Sequence, residues 1–280
     1  MKKILSFALL CASLASGEAP CPPRDREPVS ERESLLGIGP FLPPERLELT
    51  FAHMATRFSE ALHRGVRFQT STTFERYAEN VLNEEYDFAL LPPFLFVRLD
   101  PGSYVPLTRA PGVLRGEFVT LESSPVEKLD DLRGKTVAIA PQHSGMEFLA
   151  RHTLLERGLD PDEDLTVRYF ESALSCLQQL PVGTAAACVT HSFARERFEE
   201  ELGTPLKAIA ETVGVHHGPF AAHCRVPEQE RDVIRKLLMA WDEDPGNRLP
   251  VSGAQVPSGV AVAPGDYDAV IKIGRDVARP

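Results

Sequence analysis

The 280-residue sequence lacks the signatures of several function classes, and each absence narrows the field. Beyond residue 17 there is no run of ~18–20 apolar residues, so no later membrane-spanning helix is expected. There is no Cys-x-x-Cys, which argues against a zinc knuckle or a thioredoxin-like centre. No Gly-x-Ser-x-Gly elbow is present, and "QHSGM" at 142–146 is not one. "GIGPF" at 37–41 lacks the rest of a dinucleotide-binding fingerprint. No nucleophile–base–orienter set stands in a recognisable context, so the chain reads as a non-enzyme needing no cofactor. No internal repeat occurs at a fixed period. Basic residues are short as well: 30 Lys and Arg against 40 Asp and Glu, a net charge of −10. Such an excess opposes nucleic acid and anionic membrane surfaces as main partners. It does not exclude an anionic ligand, because converging N–H groups can hold one against the global field.

What remains is ordinary globular material, 43% hydrophobic and 25% charged, in a chain long enough for one or two domains. The first 17 residues, "MKKILSFALLCASLASG", combine two lysines, an apolar stretch at 4–14, and small residues for cleavage. That pattern is a secretory signal peptide and predicts a periplasmic protein. Leu10 precedes Cys11 and Pro20 precedes Cys21, so neither cysteine has the small neighbour of a lipoprotein anchor. Residues 18–34, rich in Pro, Arg and Glu, read as a flexible leader. Export permits disulfides. Cys21, Cys176, Cys188 and Cys224 allow three full pairings, among which spacing does not choose, and buried free thiols remain an alternative for Cys176 and Cys188.

From residue 35 apolar segments alternate in kind. A short strand at 35–38 is followed by helical spacing over 47–62 (Leu49, Ala52, Phe58, Leu62). The strand "VRFQT" comes next, then a capping pattern Thr72-x-x-Glu75 that opens a helix, then the strand "DFALL" stopped by Pro92 and Pro93. The alternation restarts after 116: "EFVTLE", a second capping pattern Ser124-x-x-Glu127 with Pro125 at the first helical position, "TVAIA", a helix from Met146, "LTVRYF", "SALSCLQQL" and "AAACVT". A third region, "PFAAHCRVP" and then "EQERDVIRKLLMAW", ends the regular pattern. Acidic runs at 199–201 and 242–244 read as solvated surface.

This order predicts an α/β fold of two lobes, each a mostly parallel sheet flanked by helices, with a hinged cleft between. The expected division is 35–116 plus 217–280 for lobe 1 and 117–216 for lobe 2. Ligands in such sheets sit beyond the carboxyl ends of the strands. The candidate cleft lining is therefore 39–42, 70–73, 91–94, 141–145, 190–193 and the pair His216-His217. Adjacent histidines usually point apart, and no acid or cysteine completes a set, so no metal site is expected.

Two stretches carry a family resemblance. "DFALLPPFLF" (87–96) resembles the Asp-x-Ala-x-x-Gly-Pro segment of phosphonate-binding periplasmic proteins. "SSPVEKLDDLRGKTVAIAPQHSGMEFLARHTLL" (123–155) resembles their Ser-Pro, short helix, strand, and Ser-Thr-Ser-Gly turn into a helix. The order of elements follows the family over 35–240. The resemblance implies a type II periplasmic-binding-protein fold and the solute-binding role in a phosphate/phosphite/phosphonate ABC transporter. It also implies that the turn Gln142-His143-Ser144-Gly145 binds an oxyanion. Physically, such a helix start offers unpaired N–H groups and the positive end of the helix dipole. Ser144-x-x-Glu147 is itself a capping box, so the Ser144 hydroxyl has two readings, helix cap and ligand contact, which can coexist. His143 has two as well: an extra donor, charged near pH 6, or an exposed loop residue.

The departures from the family matter as much. Pro92-Pro93-Phe94 replaces a tyrosine-rich turn, Ser172-Ala173-Leu174 lacks the family histidine, and Ala186 stands where the family has an acid. A dianion without enough donors costs several kcal/mol to desolvate. An aminoalkyl phosphonate is therefore not expected, whereas a simpler oxyanion is. The expected ligand set is Gln142, His143, Ser144, Gly145, Phe41, Thr72, Phe94 and Thr190. Together these predict a monomeric substrate-binding component that delivers a small oxyanion to a permease. The alternatives are a carrier of an apolar or neutral, lipid-like ligand on the same scaffold, or an extracytoplasmic sensor for a signalling receptor. An enzyme on this scaffold ranks last.

Overall fold

The computed structural model describes residues 32–42, 44–247 and 256–278. The expected signal peptide, most of the leader and Cys21 lie outside the described residues. The chain begins with β1 (Ser34–Ile38). Helix α1 (Pro44–Leu47) then runs through a π-helical turn (Glu48–Ala52) into α2 (His53–Leu62). After these come β2 (Val66–Gln69), α3 (Phe74–Leu82), β3 (Phe88–Leu90), α4 (Pro93–Phe96), β4 (Tyr104–Arg109) and the two-residue β5 (Val113–Leu114). A second series follows: β6 (Glu117–Leu121), β7 (Thr136–Ile139), α5 (Gly145–Glu156), β8 (Thr166–Tyr169), α6 (Ala173–Leu177), α7 (Gln179–Val182), β9 (Ala187–Thr190), α8 (Ser192–Leu202) and β10 (Leu206–Glu211). The chain closes with β11 (Val215–His216), β12 (Pro219–His223), α9 (Glu228–Met239) and α10 (Asp268–Val277).

Two five-stranded sheets result, in the orders β2-β1-β3-β12-β4 and β10-β6-β9-β7-β8. In each, one strand runs against the other four: β12 in the first and β6 in the second. Both are strands that enter a sheet just after the chain has crossed between the two. A small ribbon of β5 and β11 pairs the two crossings. Both faces of each sheet are covered, which is why the strands read as continuous apolar runs. On β3, Phe88 packs with α2 and α9 residues such as Phe58 and Ile234, while its neighbour Ala89 packs on the other face with Tyr77 and Tyr86.

Several local expectations are corrected. The buried stripe of the first long helix is Leu47, Phe51, Met54, Ala55 and Phe58, and Leu49 is exposed. Phe51 and Met54 bring more apolar area to the sheet than Leu49 and Ala52 would. The cap of α3 is Thr73, whose hydroxyl accepts from the Arg76 N–H at 3.1 Å, and Thr72 lies exposed before it. No helix starts at Pro125. The carboxylate of Asp131 accepts from the N–H groups of Glu127 and Lys128 and closes a 3-10 turn at Leu129–Leu132 instead. "PFAAH" forms β12, an inner strand of the first sheet. Cys176 and Cys188 form a disulfide between α6 and β9, their Cα atoms 5.8 Å apart.

Order also begins earlier than residue 35. Arg32 forms a two-pronged ion pair with Asp87, through bonds of 2.6 and 2.8 Å. Asp87 is fully buried and also accepts from the Leu35 N–H at 2.9 Å and from Arg225 at 2.7 Å. Arg225 in turn donates to the carbonyls of Glu84 and Tyr86. The motif aspartate thus ties the chain start, β1, β3 and the end of β12 together. Burial pushes its carboxyl up, but the Arg32 hydrogen bonds and the Arg225 charge outweigh this and hold it below the usual carboxylate range. A depressed folded value means that Asp87 stabilises the fold above the unfolded carboxyl's titration range, and that this contribution disappears as pH falls through the folded value. Asp87→Asn should therefore destabilise the protein by about 3–5 kcal/mol near neutrality, by leaving two arginines unpaired. Urea unfolding at neutral pH and in acid should show the gap between wild type and variant narrowing as pH falls.

Candidate functional site

The segments that follow β3 and β7 meet beside the crossing strand β5: Phe94 stacks on Phe148, and Leu114 lies against Gly145. On the second sheet, β7 ends at Ile139 and α5 begins at Gly145. Ser144 is the N-cap of α5, in extended conformation, and its hydroxyl accepts from the Glu147 N–H at 3.4 Å. Gly145 is buried, and a Cβ there would lie 2.8 Å from a methyl of Leu114 on the crossing strand β5. Hence glycine at this position: the helix end sits against the hinge. His143 adopts a left-handed conformation, φ +63°, with its side chain half-exposed beside the exposed Gln142.

The reciprocal half of the capping box is not formed as its pattern suggests. Glu147 does not fold back onto Ser144. Its buried carboxylate accepts the His143 backbone N–H at 2.5 Å and the Tyr169 hydroxyl of β8 at 2.5 Å. The His143 ring stands 4.0 Å away. Burial, then the hydrogen bond to Glu147 and its charge, push the Tyr169 hydroxyl up to about 12, so it remains a donor at any working pH. The positive end of α5 is thus already supplied with an anion by the chain itself.

The other expected residues divide. Phe94 is almost fully buried and stacked on Phe148 of α5, ring centres 4.5 Å apart and 7° from parallel. With Met146, Leu149, Tyr267, Val270 and Ile273 it forms an apolar cluster joining α4, α5 and α10. Phe94 therefore lies in a seam between the two sheet layers, adjoining the helix start that Gln142–Gly145 lead into. Phe41 sits elsewhere, 47% exposed and edge-on to Phe51. Thr190 ends β9, buried, its hydroxyl without a partner among the described residues. Thr72 is exposed in the turn after β2.

At the hinge, Arg109 pairs with Asp266 at 2.8 Å, and His216 approaches the same carboxylate at 3.6 Å. The Ala263 N–H and Arg109 hold Asp266 below the usual range. Burial, with Arg109 and His216 nearby, lowers His217. Among the described residues no group of three His, Cys, Asp or Glu could hold a metal ion. None of their helices is long and apolar enough to cross a membrane. Sequence reasoning did not find Tyr169 or the Arg109–Asp266 pair, and it gave Glu147 only a capping role. The signal for Glu147 was present in the Ser144-x-x-Glu147 spacing. Tyr169 pairs with Ile139 across β7 and β8, a register visible only in the fold.

Two mixed sheets joined by two crossings match the two-lobed type II class of periplasmic binding proteins. PhnD1 from Prochlorococcus marinus, in complex with methylphosphonate, is similar at a TM-score of 0.75 and 11% identity, covering 87% of this chain and 98% of that one. A binding protein component of an ABC phosphonate transporter from Pseudomonas aeruginosa is similar at 0.71 and 11%, covering 88% and 87%. A Xanthomonas citri protein bound to ATP is similar at 0.68 and 16%, covering 88% and 97%. None of the curated proteins matches the sequence significantly. The family model "ABC transporter, phosphonate, periplasmic substrate-binding protein" matches residues 36–267, and the chain belongs to that family.

Ser144→Ala should cost about 1 kcal/mol through the lost cap. Phe94→Ala should cost about 3–5 kcal/mol through the emptied seam. Thermal denaturation of both variants measures the two roles, and an unchanged melting temperature for Ser144→Ala would rule out the capping role.

Proposed function

We propose that the protein is the substrate-capturing component of an ABC importer and takes up a small oxyanion of the phosphate, phosphite or phosphonate class. The observation that carries this reading is the family match, which runs through both sheets and both crossings. The site we propose lies between the strand ends, with Gln142, His143 and the first turn of α5 on one side. Thr72 and Thr190 are further hydroxyls at neighbouring strand ends. In this proposal residues 35–116 with 217–280, and 117–216, act as the two hinged lobes. The exported protein has lost residues 1–17 and works as a monomer that presents its closed form to a permease. Binding requires no covalent step.

One feature favours a second reading. A cavity of roughly 240 Å³ in the first lobe is lined by Phe41, Thr50, Phe51, Leu90, Phe220 and Leu238. The Thr50 hydroxyl is buried and unpartnered among the described residues. Dry apolar cavities of about 150 Å³ already accept benzene. A small apolar ligand with one polar group would suit this space.

A thermal-shift series distinguishes the two. A ligand that binds only the folded state stabilises it in proportion to ln(1 + [L]/Kd). Methylphosphonate, phosphite or phosphate should raise the melting temperature in a saturable way. A shift produced only by neutral lipids or sterols would transfer the proposal to the apolar cavity.

A further inference from the structure

Cys176, Cys188 and Cys224 are the cysteines among the described residues. Cys176 and Cys188 are bonded to each other. Cys224 is disulfide-bonded as well, and the other two are already spent. Its partner is therefore one of the remaining cysteines of the chain, Cys11 or Cys21. Cys11 falls within the residues read as a cleaved signal peptide, which leaves Cys21.

The surroundings of Cys224 bring the chain start to it independently. Cys224 follows β12, and its N–H donates to the Ser103 carbonyl at 2.8 Å, which fixes the backbone there. The next residue, Arg225, donates to Asp87 Oδ1 at 2.7 Å. Arg32 donates to the same oxygen at 2.6 Å. Two arginine side chains meeting on one carboxylate thus separate the chain start from residue 225. Cys21 precedes Arg32 by eleven positions. That length reaches up to about 36 Å at ~3.3 Å per residue, well beyond the span to Cys224.

We infer that the exported protein carries a disulfide between Cys21 and Cys224, which staples the leader to the first lobe beside Asp87. This rests on the reading of residues 1–17 as removed on export. Forming the bond joins the two sulfurs. Two protons leave, and two electrons pass to a disulfide oxidant of the export compartment, which becomes a dithiol. In the two-lobe division proposed above, lobe 1 is built from 35–116 and 217–280, and the bond ties the leader ahead of the first stretch to the second. Cys176–Cys188 lies within lobe 2. Each lobe then has its own cross-link, and neither crosses the cleft. Cys224 also follows His223, whose N–H donates to the Asp87 carbonyl at the amino end of β3, the sheet edge opposite Leu91–Phe94. The staple therefore leaves hinge motion covalently unrestrained.

The test is peptide mapping of the exported, non-reduced protein: free thiols are alkylated, the denatured chain is digested with trypsin, and the peptides are weighed by mass spectrometry. Cys176 and Cys188 fall on one tryptic peptide, 169–195, and Cys224 on another, 208–225. In a chain that starts at residue 18, Cys21 falls on 18–24. The expected result is 18–24 linked to 208–225, split by reductant, in protein that runs as a monomer without reductant. Cys21→Ser should leave Cys224 open to alkylation and lower the melting temperature by a few degrees. The wild-type map stands alone should the variant fold poorly. Alkylated Cys21 or Cys224 in wild type, linkage of 208–225 to 169–195, or a link found only in a disulfide-joined dimer overturns the inference and leaves the export reading standing. A chain that retains residues 1–17, with Cys11 bonded to Cys224, overturns both.

Discussion

The hydrogen bond from the His143 N–H to the Glu147 carboxylate joins the end of β7 to the first turn of α5. A helix start attracts negative charge because its N–H groups are unpaired and its dipole is positive there. In this chain the attraction is met internally. The neighbouring features follow from that choice. The Ser144 hydroxyl caps its own helix, Tyr169 donates inward from β8, and His143 takes a left-handed turn that brings its N–H to the carboxylate. The first turn of α5 thus carries an acid of its own.

Around that end the two sheet layers are joined by an apolar cluster. Phe94 from the first layer stacks on Phe148 from the second, and α10 packs against both α4 and α5. The crossing strands β5 and β11 run close by, and Leu114 reaches the position where a Cβ of residue 145 would be. The Arg109–Asp266 pair, with the backbone bridge from Arg109 to Val260, fastens the C-terminal segment to the hinge side of the first sheet. This packed aromatic seam joins the two sheet layers beside the segments that follow β3 and β7.

Much of the architecture was legible in the sequence because helices and strands differ in period. The alternation from 35 to 91 and its restart after 116 gave two sheets, and Asp87, Ser144 and Gly145 stood out in the motifs that also carry the family. What remained hidden depends on partners distant in sequence. Asp87 reads as part of a motif, but that it gathers Arg32 and Arg225 appears only when β3 and β12 are neighbours. Thr73 rather than Thr72 caps α3 because one residue of turn decides which hydroxyl faces the N–H groups. Phe94 follows two prolines and reads as a cleft residue, yet Phe148 waits for it across the seam. Glu147 was seen as half of a capping box, and only the position of Tyr169 shows that its carboxylate is held toward His143 instead.

The account turns on whether an incoming oxyanion reaches the start of α5, where the His143 N–H is held by Glu147. The most direct measurement is the amide proton and nitrogen resonance of His143 while methylphosphonate is titrated into labelled protein. A carboxylate-bonded amide resonates far downfield. The account predicts that this resonance and the Glu147 carboxyl carbon shift together, saturating with ligand occupancy. Full occupancy with both resonances unmoved would place the ligand elsewhere and contradict it.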